Sequence, residues 1–173
     1  MSVSVACLLA GATTAGAAED KPAPEGLTCP VDIAGGERIS VGDVAPTPGV
    51  TGFCIYYLVG ETDFEAVTMT LRIADADYDW QASFKAPKID KGGMQVVQEG
   101  TLSAPLGDGN ATATVTTLSV AEQDLGPVTE SFSTLWVFDL ADGRKLSLEE
   151  EYNNVSEPMR PALREALLKA QHP

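Results

Sequence analysis

With 173 residues, 44% of them hydrophobic and 21% charged, the chain has the composition of a globular protein and not of a disordered tail or a coiled coil. Its formal charge of −14, from 25 acids against 11 bases, repels phosphate backbones and anionic lipid headgroups, which sets nucleic acid aside as a partner. The charge is uneven: residues 1–143 hold 20 acids and 6 bases, whereas residues 144–173 hold five of each.

In chain order, residues 3–18 form an unbroken run of small and apolar residues closing on Ala15-Gly16-Ala17, the small-x-small pattern that signal peptidases cut. The run is too short and too rich in Ala, Gly and Thr to span a membrane. The expectation is a signal peptide over residues 1–17 and a mature protein exported to the periplasm or beyond the cell. No Lys or Arg precedes the run, which would put the true start upstream of Met1. Cys7 as a lipoprotein anchor is disfavoured, because Ser4-Val5-Ala6 fits the usual Leu-led lipobox poorly. Residues 18–36, with Pro22 and Pro24, read as an extended N-terminal arm, followed by a single β domain over residues 37–173.

Turn signals then recur at close intervals with period-2 patterning between them. Residues 37–44 read as a short strand ended by Pro46-Thr47-Pro48-Gly49. Residues 51–59 are apolar at every second and every intervening position, so they read as a central strand covered on both sides. Residues 64–74 alternate, with Val67, Met69, Leu71 and Ile73 against Thr68, Thr70 and Arg72. Tyr78, Trp80, Ala82 and Phe84 continue the alternation, so residues 64–84 read as a β-hairpin. A strand over 94–103 and a Thr-rich strand over 111–120 flank the turn Gly107-Asp108-Gly109-Asn110. After Gly126-Pro127, a strand over 132–140 carries Phe132, Trp136 and Phe138 on one face, and Ala141-Asp142-Gly143 turns it into residues 144–152. The last element is a helix over about 159–171, with Met159, Leu163, Ala166, Leu167 and Ala170 on one face and Pro161 in its first turn. The predicted fold is all-β, with seven or eight antiparallel strands in a sandwich or an up-and-down, lipocalin-like barrel and one C-terminal α-helix.

With Cys7 removed in the leader, Cys29 and Cys54 form an even pair, and a disulfide between them is expected in an oxidising compartment. Enzyme templates lack parts. The one histidine, His172, is second from the end, no P-loop or dinucleotide fingerprint occurs, and a bonded cysteine pair plus a terminal His cannot build a zinc site. No cofactor is expected beyond weak Ca²⁺ binding at Asp75, Asp77 and Asp79, which an extended hairpin end would place on one face. An EF-hand is ruled out, since Trp80 stands where the turn glycine belongs. Glu149-Glu150-Glu151 read as the exposed end of an edge strand. The aromatics Tyr56, Tyr57, Trp80, Phe84, Trp136 and Phe138 read as sheet core or as the lining of a ligand cavity. The function expected is that of a non-enzymatic binding or accessory protein recognising a protein or a small apolar ligand. A structural or adhesive surface component and a carboxylate-dependent hydrolase are the alternatives.

Overall fold

A computed structural model describes residues 22–43 and 48–172; the expected leader and Cys7 lie outside the described residues. Its strands are β1 (Asp32–Ile33), β2 (Gly36–Gly42), β3 (Val50–Val59), β4 (Ala66–Ala74), β5 (Gln95–Leu106), β6 (Gly109–Leu125), β7 (Val128–Asp139) and β8 (Lys145–Asn153). Two helices join them: α1 (Trp80–Asp90) between β4 and β5, and α2 (Arg160–Lys169) after a 3₁₀ turn at Glu157–Met159. All eight strands form one antiparallel sheet in the order β1-β2-β3-β4-β8-β7-β6-β5. The sheet does not close into a barrel: β1 and β5 are its two edges.

The topology explains α1, where the structure departs from the expected hairpin. Counting alternations across the sheet, β4 and β5 run parallel and lie four places apart, so their link must cross β8, β7 and β6 and return to the starting end. A tight turn cannot do that, and a helix can. Asp79 caps it, its Oδ1 accepting the Ala82 N–H at 3.0 Å, and Trp80 and Phe84 are buried. Spacing of four residues satisfies a period of 2 as well as 3.6, which is why the alternation misled. The absence of any β-branched residue from Trp80 to Lys88 was the helical signal.

Each face of the sheet has its own apolar cluster. Beneath α1 lie Val50, Ala74, Leu118 and Leu135, with Trp80 and Phe84 from the helix. On the opposite face, Cys54, Tyr56, Val67, Met69, Leu71, Ile73, Trp136, Phe138, Leu146 and Leu148 pack with Leu163, Leu167 and Leu168 of α2. That helix begins close to its expected place, with Pro161 in its first turn, and it touches both edge strands. The sheet therefore curls around α2, which fills the space a second sheet or the inside of a barrel would occupy.

The arm is pinned to the same helix. Gln171 accepts the Thr28 N–H at 3.0 Å and returns a bond from Nε2 to the Thr28 carbonyl at 2.8 Å, as a neighbouring strand would. Arg38 Nη1 donates to the Cys29 carbonyl at 2.6 Å and Tyr56 to that of Pro30 at 2.9 Å. The expected disulfide links Cys29 to Cys54, with Cα atoms 6.2 Å apart. Across the molecule, the Gly107 N–H of the β5–β6 turn donates to Leu168 O at 3.1 Å. Only glycine suits that turn, because φ is +57° and a Cβ would lie 2.7 Å from the Gln171 carbonyl oxygen.

Candidate functional site

The six aromatics do not line one space. Tyr56, Trp136 and Phe138 are buried on the α2 face, whereas Trp80 and Phe84 are buried under α1. Tyr57, on the α1 face of β3 but beyond the reach of α1, is 40% exposed. With it stand half-buried Phe53 and Ile55 and exposed Val59, so past Val50 this face of β3 is only partly covered, against the expectation of a strand covered on both sides. Burial raises the Tyr56 hydroxyl to about 12, partly offset by Arg38.

Asp75, Asp77 and Asp79 are exposed and precede α1. The chain turns there, Tyr78 N–H donating to the Asp75 carbonyl at 3.1 Å, so the extended geometry that would align three carboxylates is missing. Among the described residues no three His, Cys, Asp or Glu side chains are grouped so as to hold a metal ion.

A groove lies instead at the far end of α1. Pro87, Lys88, Lys91, Gly92 and Met94 form one wall of this groove of about 770 Å³. Its floor comes from four adjacent strands, through Ala66, Glu151, Asn153, Ser131, Ser133 and Val120; Phe132 and Tyr152 border it too, although their rings stack on each other on the α2 face. The strand order places these residues together, since β4, β8, β7 and β6 are neighbours although up to 87 positions separate their residues in sequence. Apolar contacts come from Pro87, Met94 and Val120, and hydroxyls from Ser131 and Ser133.

A fixed ion network supports this wall. Lys88 Nζ lies 2.9 Å from Glu149 and 2.7 Å from Glu151, and Arg72 Nη1 lies 2.7 Å from the same Glu149. Burial pushes Glu149 upward, but Arg72 and Lys88 outweigh it and hold its carboxyl below the ordinary range. Burial likewise pulls Lys88 down, and the two glutamates more than offset it. The ammonium also sits 5.5 Å from the Phe84 ring. Lys91 is exposed at the mouth and makes no salt bridge among the described residues.

On the other face of β8, Glu150 is fully buried, with Arg160 at 2.7 Å and Arg164 at 3.4 Å. Desolvation raises its carboxyl, against the pull of Arg164 and Arg160. Arg160 lies over Tyr152 at 4.2 Å and Arg164 over Trp136 at 4.9 Å. The three glutamates are thus not the exposed end of an edge strand: β8 is central, between β4 and β7, and only Glu151 is exposed. The balanced charge of the last thirty residues was the available signal, with Arg160 and Arg164 one helical turn apart.

No protein-family model matches this chain, and comparison with characterised proteins finds no match in sequence.

Proposed function

We propose that the chain is an exported, non-enzymatic binding protein, and that its ligand seat is the groove at the end of α1. The observation that carries this reading is the groove itself: about 770 Å³ of open space with a largely apolar lining and a few polar groups. Its shape fits a small apolar or amphipathic molecule, with Lys91 and the two serines near any polar end. Export rests on the apolar leader run and on the Cys29–Cys54 disulfide. Among the described residues, no helix is long and apolar enough to cross a membrane. Hydrolysis by paired carboxylates is the weaker reading, because Glu149 and Glu151 both bind Lys88 and neither is left to act as an acid.

The test is titration with a fluorescent apolar probe such as N-phenyl-1-naphthylamine. Saturable binding should weaken at least about tenfold in Ser131→Trp, which fills the groove without removing a core residue, and stay unchanged in Tyr57→Ser on the uncovered part of β3. No saturable binding, or equal binding by Ser131→Trp, would defeat the proposal. Export is checked separately by the N-terminal residue of secreted protein, expected at Ala18.

A further inference from the structure

We infer that the outer edge of β5 is a pairing surface for a second copy of this chain. This goes beyond ligand binding and does not depend on it. β5 ends the sheet, so one row of its backbone N–H and C=O groups meets no strand. The opposite edge, β1, has two residues; β5 has 12, the first nine of them exposed on both faces. Val96, Val97 and Leu102 are 42%, 56% and 41% exposed. Guards against pairing are few. The one charge on the strand, Glu99, is bound to Lys85 of α1, the only proline is Pro105 near the end, and the bulge falls between Val96 and Gln98.

Strand position bears on the register of such pairing, and charge on the partner. Gly100 stands in mid-strand with φ outside the left-handed region, and a Cβ added there would meet nothing within 4 Å. It sits at the middle of the 12-residue strand, so antiparallel pairing about this point engages the longest stretch of free edge, and directly opposed side chains there would project out of the sheet plane without a clash. Residues 92–121 carry only Glu99 and Asp108 and no Lys or Arg, in a chain with 36 charged residues. A basic partner steered by charge would seek acids, which this edge lacks; a second acidic copy meets the fewest opposed charges here. Antiparallel pairing about a two-fold axis through Gly100 sets Glu99 opposite Thr101 and Gln98 opposite Leu102, so no acid faces an acid.

Sedimentation equilibrium of the full chain tests the pairing. A monomer–dimer equilibrium is expected, tightening as salt screens the like charges. Val97→Lys, at a solvent-exposed position, should weaken it at least about tenfold while near-ultraviolet circular dichroism stays unchanged. Gly100→Cys should give a covalent dimer under mild oxidation where the wild type gives none, because directly opposed Cα atoms lie within disulfide reach. A wild type that stays monomeric at every concentration and salt overturns the inference. So does a dimer that loosens with salt, one that Val97→Lys leaves intact, or a Gly100→Cys chain that does not cross-link.

Discussion

Glu149 and Glu150 are neighbours in sequence and occupy opposite faces of β8, the first serving α1 and the second α2. Removing the Glu150 carboxylate takes the shared partner from two largely buried guanidiniums, leaving Arg160 only Glu157 at 3.1 Å. Glu150→Ala should therefore cost about 3–5 kcal/mol in the denaturant midpoint, and replacing all three members of the triad with apolar residues should recover much of it. Glu149 controls acid behaviour on the other face. Its folded-state pKa lies below the usual 4.5, so its contribution is present above that pH and is lost as pH falls through the folded value. Glu149→Gln should flatten the acid limb of melting temperature against pH below about 4.5, and an unchanged limb would show that Arg72 and Lys88 do not hold this carboxyl as described. Neither role was legible from the run Glu149-Glu150-Glu151, because charge alone does not reveal whether a strand is central or at an edge.

At the scale of elements, strands were read well wherever burial on one face imposed period 2. The alternation in β4 is borne out, with Val67, Met69, Leu71 and Ile73 fully buried on the α2 face. The hairpin turn at Gly107 and the C-terminal helix stand close to where turn chemistry and 3–4 spacing placed them. α1 was missed because its buried residues fit both periods, and with it went the groove, whose wall is the end of that helix. Asp79→Ala should cost about 1 kcal/mol through the lost cap, read from the denaturant midpoint, with Asp79→Asn close to wild type. Trp136 belongs to a filled core against Arg164, so Trp136→Ala should cost about 3–5 kcal/mol. A loss under about 1 kcal/mol would mean that the ring is not packed as the α2 face shows it.

Over the whole molecule, α2 is the piece around which everything else is arranged, and the arm, the β5–β6 turn and both edge strands reach it. The disulfide fastens the arm to β3 across 25 residues of sequence. Reducing it should lower stability by about 3–4 kcal/mol in the chain-entropy account, and thiol titration of unfolded, unreduced protein should find neither Cys29 nor Cys54 free. A domain equally stable with and without reductant would place the fastening in Gln171 and Arg38 instead.

By itself the sequence determined what local physics imposes: an acidic composition, the cysteine pairing, the turns rich in Gly and Pro, and the facing of strands half-buried against one core. Only the tertiary structure decided what depends on neighbours distant in the chain. The strand order β4-β8-β7-β6 assembles the groove floor, makes β8 central and leaves β5 at an edge. Pairing order leaves no mark on a single strand's pattern, since a central and an edge strand can show the same alternation. The sheet stays open for the same reason, because whether a sheet closes on itself or wraps a helix depends on where that helix docks and not on any residue within the strands.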